Sequence, residues 1–457
     1  MPEETKMAAT GTLWFEAALL PDGWARDVRI SHAGGLITQI ETGISTPAGA
    51  ARGRAALPGL ANLHSHAFQR GMSGLTEARG EGEDSFWSWR DLLYRFVDKA
   101  TPDQIGAITA MAYAEMLEAG FTRVAEFHYL HNAPDGARYD DPAEMAGHIA
   151  KSAMDTGIGL TLLPVFYAHS GFGGQAPLEG QKRFLSNVES YAQLLSAAKE
   201  HAAALPDAVT GVAPHSLRAV TPEELKAVIG MSADGPIHIH IAEQQKEVDD
   251  CLSWSSARPV EWLLANAAVD EHWCLVHATH TTESELQGIA ASGAVAGLCP
   301  VTEANLGDGI FDGRAYLAHG GRFGVGSDSN VSICAADELR MLEYSQRLRY
   351  RQRSVLGGGD WPSTGRSLFE HALAGGHQAC GSEGGLRVGV PADIIALDSS
   401  EAEDGADALL DAWVFRAGRS MIADVWRRGA PVVQAGRHIH RDAIRARYQS
   451  TLRQLLS

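Results

Sequence analysis

The sequence of 457 residues has few cysteines, and none of them has the spacing of a structural zinc site. The five are Cys251, Cys274, Cys299, Cys334 and Cys380. An odd and scattered set argues against a disulfide framework and against a zinc knuckle. We therefore expect a protein of a reducing compartment and predict that it is cytoplasmic.

Long apolar runs and positive charge are also scarce. No stretch of about 18 apolar residues occurs, and the N-terminus lacks the basic and apolar segments of a signal peptide. Lys and Arg number 38 against 56 Asp and Glu, which gives a formal net charge of −18. Because an acidic surface repels nucleic acid and anionic lipid, we expect neither as a partner. An anionic small molecule would need local arginines.

The sequence does contain a central region of alternating strands and helices between two β-rich ends. Residues 11–45 and 388–437 show short alternating strands separated by glycine, proline and aspartate. Between them, helical patterns separate eight apolar runs, at residues 56–64, 122–129, 158–167, 208–215, 236–243, 273–280, 294–301 and 322–329. Eight such units predict an α/β protein built on a (β/α)8 TIM-like barrel.

The two ends predict a small β-sandwich domain that both termini build together. We assign residues 1–55 and 388–457 to this domain, the latter with a terminal helix, and residues 56–387 to the barrel.

Polar residues collect at the carboxyl ends of the predicted strands, where barrel enzymes place their chemistry. Strand one ends in His64 and His66, and the i, i+2 spacing puts both imidazoles on one face. With His240 and Asp328 at later strand ends, these residues suit a zinc ion with one open position. Predicted strand four has no lysine to bridge a second metal, which favours one ion over two.

Two further residues at strand ends are candidates for moving protons. Glu243 follows His240 by three residues, so its carboxylate can turn toward an activated water. His277 ends strand six and is predicted to be a neighbour of the metal rather than a ligand. A single glutamate in a loop is usually solvated, and a single histidine at a strand end usually packs in the core. Because so many predicted strands end in polar residues, we favour a functional role for Glu243 and His277. His238 lies deeper in the barrel and is predicted to be structural.

The motifs PGLANLHSHAFQRG, HIHIAEQ, HATH, GSDS and GVPADIIALD resemble the amidohydrolase superfamily in its mononuclear deaminase branch. The finer motifs HSHAFQR, FWSWRDLLYRF, EFHYLH, APHSLRAV and CPVTEANLGDG are similar to those of the formiminoglutamate deiminases of that branch. The resemblance covers nearly the whole chain. It implies one zinc ion per subunit, and it implies the following ligands: His64, His66, His240 and Asp328. It also implies that Glu243, His277 and Asp328 are the catalytic residues that handle protons.

The same resemblance implies hydrolysis of N-formimino-L-glutamate to N-formyl-L-glutamate and ammonia in histidine degradation, by a homodimer. The substrate contacts that it implies are Gln69, Arg90, Tyr129, His215 and Arg218. Such a dicarboxylate substrate calls for arginine forks, and Arg218 follows predicted strand four at the barrel mouth. Gln69 and Tyr129 suit packing equally well, and Arg90 belongs to a long connection.

Two other functions remain open at this point. A deaminase of guanine or a related heterocycle would use the same zinc site with a pocket for stacking, for which Trp87 and Trp89 are candidates. A metal-free barrel could instead serve as a scaffold. Such a chain should have lost metal ligands, and the complete ligand set argues against it.

Overall fold

A computed structural model of the protein describes residues 10–48, 54–75, 77, 93–94, 96–398 and 406–457. The strands β1 to β17, in chain order, are Gly11–Leu20, Gly23–Ala33, Leu36–Glu41, Arg54–Pro58, Leu60–Ser65, Phe121–His128, Gly159–Phe166, Val209–Thr210, Ala213–Pro214, Ile237–Ile241, Trp273–His277, Val295–Leu298, Arg322–Val325, Ile394–Asp398, Ile422–Arg427, Ala430–Gln434 and Arg437–His438.

The α-helices α1 to α13, in the same order, are Pro102–Glu118, Glu144–Thr156, Val188–Ala202, Pro222–Ile229, Gln245–Ser255, Pro259–Asn266, Glu283–Ser292, Pro300–Leu306, Gly313–Ala318, Ala335–Tyr350, Thr364–Ala379, Asp407–Ala412 and Arg441–Leu455. Short 3-10 helices lie at Ala67–Met72, Glu179–Gln181, Leu217–Ala219 and Gly418–Met421, and a π-helical turn at Trp413–Ala417.

Parallel strands in the middle of the chain form the predicted barrel. β5 to β7 pair in sequence, β7 also pairs with β8 and β9, and β10 to β13 form the other half. Isolated backbone bridges join the halves, from Val212 to Ile237 and from Ser216 to His240 on one side and from Ser65 to Asp328 on the other. The (β/α)8 prediction is therefore confirmed, with the fourth strand divided into β8 and β9.

Local sequence signals explain where several barrel helices begin. The Thr101, Thr221 and Thr282 side chains each accept a hydrogen bond from the backbone N–H three residues later, which satisfies a donor that the first turn leaves unpaired. The strands between these helices, such as β6 and β7, are buried along their whole length, as expected of a sheet covered on both faces. No helix in the described ranges is long and apolar enough to cross a bilayer.

The two ends of the chain form one continuous eight-stranded sheet in the order β17-β16-β15-β14-β4-β1-β2-β3. Alternate side chains of β14 serve two different cores. Ile395 and Leu397 join the main core shared with the barrel, whereas Ile394 and Ala396 join a smaller core inside the terminal domain. The terminal sheet thus has its own interior and is packed against the barrel on its other face.

The first predicted strand, residues 56–64, was wrong as a single element. Its first part belongs to β4, which pairs with β1 and β14 in the terminal sheet, and only β5 enters the barrel. Gly59 lies between the two, at a position that only glycine fits, because a Cβ there would lie 2.1 Å from Thr122 Oγ1. Both strands are buried, so one apolar run conceals the change of sheet. The assigned domain boundaries stay a prediction.

Candidate active site

Three imidazoles converge at the carboxyl end of the barrel. His64 Nε2 lies 3.2 Å from His66 Nε2 and 3.0 Å from His240 Nε2. His66 Nδ1 lies 2.8 Å from the Phe127 carbonyl oxygen, and His240 Nδ1 lies 3.0 Å from the His215 carbonyl oxygen. Because a carbonyl oxygen only accepts, Nδ1 carries the proton in both rings, and their Nε2 lone pairs face His64.

This arrangement fits a divalent cation. Burial lowers the pKa of His66 to about 3 and holds the pKa values of His64 and His240 well below their ordinary value, so the rings are neutral. A divalent cation between the three rings would accept the Nε2 lone pair of each. Asp328 Oδ1 lies 3.3 Å from His66 Nε2 and 3.6 Å from His64 Nε2. The chain thus brings all four predicted ligands together in a donor set that suits zinc.

The backbone turns sharply to aim these side chains. His277, Asp328 and Ala242 have φ angles of 69°, 42° and 51°, in the left-handed region that costs L-residues free energy. The Asp328 N–H donates to the His64 carbonyl oxygen, and the His66 N–H donates to the Asp328 carbonyl oxygen. These bonds join the first and last barrel strands at the metal ligands. Strain of this kind concentrates at functional sites.

Two buried asparagines stabilise the same junction, and sequence reasoning missed both. Asn62 Oδ1 accepts hydrogen bonds from the backbone N–H groups of His64 and Ser327. Asn330 Nδ2 donates to the Asp328 carbonyl oxygen at 2.9 Å. Both side chains are fully buried. Nothing in the local sequence distinguishes such an asparagine from one in an ordinary turn.

His277 lies among three carboxylates. Its Nδ1 is 3.2 Å from Glu303 Oε1, and its Nε2 is 3.8 Å from Glu243 Oε1 and 3.9 Å from Asp328 Oδ2. Burial opposes a charge on this ring, but the surrounding carboxylates outweigh burial and raise the pKa of His277 to about 10. The three predicted catalytic residues therefore meet. Glu303 was not predicted, and its place four residues after Cys299 in α8 carries no recognisable signal.

Burial also changes the acidity of the carboxyl groups that face His277. It raises the pKa of Asp328 to about 6, although His277 opposes the shift, and it raises the pKa of Glu243 as well. The Glu243 backbone N–H donates to Glu247 Oε2 at 3.2 Å, which holds the end of β10 in place. A carboxyl group whose pKa is near neutrality, as that of Asp328 is, can both accept and return a proton.

A pocket opens from these residues toward the mouth of the barrel. It is lined by four of the five predicted substrate-binding residues, Gln69, Tyr129, His215 and Arg218. The fifth, Arg90, lies outside the described residues. The pocket also has walls that sequence reasoning missed, formed by Leu93, Tyr94, Tyr167, Phe184 and Leu306. In a sequence, these aromatic and apolar loop residues look like ordinary packing residues.

Arg218 gives the pocket a positive group. In the part of the chain that the structure describes, its guanidinium has no hydrogen bond and no ion pair within 4.0 Å. Burial by itself would lower the pKa of Arg218, but Tyr167, Glu247 and Glu243 more than offset burial and raise it. An arginine without a close partner in a pocket is suited to bind a carboxylate.

Comparisons with known proteins show the family to which the chain belongs. A family model described as "Amidohydrolase family" matches residues 55–432, and one described as "Formimidoylglutamate deiminase HutF, N-terminal domain" matches residues 12–54. The crystal structure of an amidohydrolase from Brucella melitensis superposes with a TM-score of 0.94 at 52% identity, covering 98% of this chain and 100% of that one.

Two curated relatives come from Pseudomonas aeruginosa. Formimidoylglutamate deiminase is 50% identical over 450 residues, which cover 97% of this chain and 99% of the relative. An 8-oxoguanine deaminase is 28% identical over 384 residues, 81% of either chain. The chain therefore belongs to the amidohydrolase family, as a hydrolase of carbon–nitrogen bonds homologous to formimidoylglutamate deiminase.

Proposed function

We propose that the protein hydrolyses N-formimino-L-glutamate to N-formyl-L-glutamate and ammonia with one zinc ion per subunit, as a step of histidine degradation. The observation that carries the choice of substrate is Arg218, whose guanidinium has no close partner among the described residues and lines the pocket that contains the convergent histidines. The 50% identity with a formimidoylglutamate deiminase supports the same choice.

In this proposal, His64, His66, His240 and Asp328 hold the metal. When bound, a zinc ion supplies a Lewis acid that lowers the pKa of a water molecule to about 7. The chain itself keeps the imidazoles neutral and correctly oriented. The carbonyl oxygens of Phe127 and His215 fix two of the rings through their Nδ1 protons.

Proton transfer is assigned to the residues around His277. Asp328 accepts a proton from the attacking water as the water oxygen forms a bond to the formimino carbon. Glu243 donates a proton to the formimino nitrogen as the tetrahedral adduct forms, and Asp328 then returns the water proton to the same nitrogen. Ammonia leaves as the carbon–nitrogen bond breaks, and the hydroxyl of the adduct gives its proton back to Glu243 as the carbonyl forms. His277 is held protonated by its carboxylate neighbours, and it stabilises the negative charge of the tetrahedral adduct.

Substrate binding is assigned to the residues at the mouth of the pocket. Arg218 binds a substrate carboxylate, Gln69 and Tyr129 act as a pair joined by a 2.8 Å hydrogen bond, and His215 forms the wall beside His240. Arg90 is proposed to bind the second carboxylate of the substrate, and only its sequence motif supports this assignment.

The test is ammonia release by the zinc-loaded protein, with bound metal measured by mass spectrometry. The substrates are N-formimino-L-glutamate, N-formimino-L-aspartate and guanine, and the Arg218→Met variant is assayed beside the wild type. We expect release from formiminoglutamate, and a raised KM in the variant because a charge-assisted hydrogen bond is lost. No release by zinc-loaded protein would refute the substrate, and failure to retain zinc would favour a scaffold.

A heterocycle deaminase is the second candidate, because an 8-oxoguanine deaminase is also a relative. Such an enzyme would bind its substrate by stacking and amide hydrogen bonds, and it would have less use for Arg218. The candidate stacking residues Trp87 and Trp89 lie outside the described residues. Ammonia from guanine, with none from formiminoglutamate, would establish this function instead. Cytoplasmic location and a homodimer stay predictions.

A further inference from the structure

A chain of hydrogen bonds joins the first and last barrel strands beside the metal ligands. Its central member is Ser327, which directly precedes Asp328 and is fully buried. Asn62 Nδ2 lies 2.6 Å from Ser327 Oγ, and Ser327 Oγ lies 2.7 Å from Asn330 Oδ1. The roles assigned above do not use the Ser327 hydroxyl. We call Asn62, Ser327 and Asn330 the junction network.

The surroundings of Asn62 fix the direction of its hydrogen bond to Ser327. Asn62 Oδ1 accepts from the backbone N–H groups of His64 and Ser327, at 3.3 Å and 3.1 Å. Because a backbone N–H only donates, the atom that these two groups face must be the amide oxygen. The other terminal atom is therefore the nitrogen, and Asn62 Nδ2 donates to Ser327 Oγ.

The surroundings of Asn330 fix the second hydrogen bond independently. Asn330 Nδ2 lies 2.9 Å from the Asp328 carbonyl oxygen and 3.1 Å from the His66 carbonyl oxygen, and a carbonyl oxygen only accepts. The atom that faces Ser327 is therefore the amide oxygen, which accepts the hydroxyl proton. The Ser327 hydroxyl thus accepts from one amide and donates to the other, and an apolar side chain in its place would do neither.

His64 depends on this junction more than the other two imidazoles do. The Nδ1 atoms of His66 and His240 face carbonyl oxygens, but His64 Nδ1 is buried without a hydrogen-bond partner in the described ranges of the chain. Its backbone is held instead, because the His64 N–H donates to Asn62 Oδ1 and the His64 carbonyl oxygen accepts from the Asp328 N–H. The polar contacts that place this ligand therefore come from the junction and not from its ring.

We propose that Ser327 is a positioning residue for the metal: its hydroxyl holds His64 and Asp328 in their metal-binding arrangement before a cation binds, and so determines the affinity for zinc. This inference rests on the metal site of the proposed function. Without the hydroxyl, Asn62 Nδ2 and Asn330 Oδ1 would be buried without their partner, and the junction would rearrange to pair them. A cation would then have to restore the arrangement at the expense of its own binding.

The main test compares Ser327→Ala with a matched variant, Ser329→Ala, in a competition for zinc with a chelating dye. Ser329 is the residue on the other side of Asp328, and it is also buried. Its hydroxyl lies 3.0 Å from Thr302 Oγ1, which keeps the Ser327 carbonyl oxygen as a partner at 3.3 Å when the Ser329 hydroxyl is removed. We expect S327A to weaken zinc binding by about 10- to 100-fold, and we expect S329A to bind zinc as the wild type does.

The zinc affinity separates a positioning role from a role in stability alone. A loss of stability that is common to the metal-free and zinc-loaded forms lowers both melting temperatures and leaves the affinity unchanged. Equal zinc affinities of the wild type and S327A would therefore overturn the inference. An equal loss of affinity in S327A and S329A would overturn it as well, because any buried serine beside Asp328 would then have the same effect.

Hydrogen exchange in the wild type tests the same point and does not depend on the folding of S327A. The His66 N–H donates to the Asp328 carbonyl oxygen at 2.9 Å, and the Asp328 N–H donates to the His64 carbonyl oxygen at 3.0 Å. We expect both amide groups to stay protected from exchange after a chelator removes zinc. Protection that requires zinc would overturn the inference. Wild type that binds no zinc would refute the metal site of the proposed function, whereas zinc-binding wild type matched by S327A would refute only the role of Ser327.

Discussion

Buried charges occur at both ends of the barrel, and the two sets are arranged in opposite ways. At the amino end, two arginines alternate with two aspartates. Arg427 Nη1 donates to Asp393 Oδ1 at 2.6 Å, and Arg123 Nη2 donates to Asp207 Oδ2 at 2.9 Å. Arg427 also contacts Asp207, so the cluster joins the terminal sheet to the barrel. Every charge there has a neighbour of opposite sign.

At the carboxyl end, groups of the same kind face one another. His64 Nε2 lies within 3.2 Å of the Nε2 atoms of His66 and His240, and the carboxylates of Glu243, Glu303 and Asp328 surround His277. The folded chain by itself leaves part of this repulsion unrelieved, and we expect a metal and a substrate to relieve it. The amino-end cluster is therefore balanced within the folded chain, whereas the carboxyl-end cluster is balanced only when ligands bind.

The largest expected effect is that of Glu243→Gln, at the carboxyl end of the barrel, on the catalytic rate. The variant keeps the shape of the side chain but cannot carry a proton, so we expect kcat to fall by about 10²–10⁴-fold. Zinc content and melting temperature should stay at their wild-type values, which mass spectrometry and calorimetry would check. Turnover at the wild-type rate in a zinc-loaded variant would contradict the role of Glu243.

At the amino end, Arg427→Met should affect stability rather than turnover. It leaves the buried Asp393 without its arginine, while the half-buried Asp207 keeps only Arg123, and we expect a loss of about 3–5 kcal/mol of the free energy of unfolding. Urea denaturation measures this loss, and kcat of the folded protein should not change. Arg437→Met is the control, because Arg437 pairs with Asp442 at the surface and should contribute less than about 1 kcal/mol.

Glu303→Gln sharpens the comparison within the active site. The amide oxygen can still accept from the Cys299 N–H and from His277 Nδ1, but the negative charge is gone. We expect kcat to fall by about 10- to 100-fold with little change in KM, because the variant alters how His277 is held and not how substrate binds. A change confined to KM would place Glu303 in substrate binding instead.

The sequence alone was sufficient to predict the site residues that lie at the ends of barrel strands. His64, His66, His240, His277 and Asp328 follow apolar runs, and a closed barrel requires the carboxyl ends of its strands to meet. Their convergence is therefore a consequence of topology. Residues placed by loops could not be found this way.

Three examples show why the rest required a structure. Tyr167 and Gln181 are 14 residues apart and meet only through the path of the loop after β7. Asp207 and Arg427 are 220 residues apart, the first beside a barrel strand and the second in the terminal sheet. The division between β4 and β5 falls at Gly59, where the chain passes from the terminal sheet to the barrel, and no hydropathy pattern marks this change.

The smallest predicted effect is the pH dependence that Asp207 gives to stability. Burial would raise the pKa of Asp207, but Arg427 and Arg123 outweigh burial and hold it below the ordinary value. A carboxyl group with a lowered folded-state pKa stabilises the fold fully above its unfolded pKa, which is about 3.9. This contribution is lost as the pH falls from about 5 through the folded-state pKa.

Asp207→Asn removes the titrating group but keeps the shape of the side chain. We therefore expect the wild type to be more stable than the variant at neutral pH, and we expect the difference to shrink between about pH 5 and pH 3. Urea denaturation of both proteins at several pH values isolates this difference, because the other carboxyl groups are common to both. A difference that stays constant with pH would mean that Asp207 contributes by shape alone. The contrast between the two ends of the barrel would then rest on packing rather than on charge.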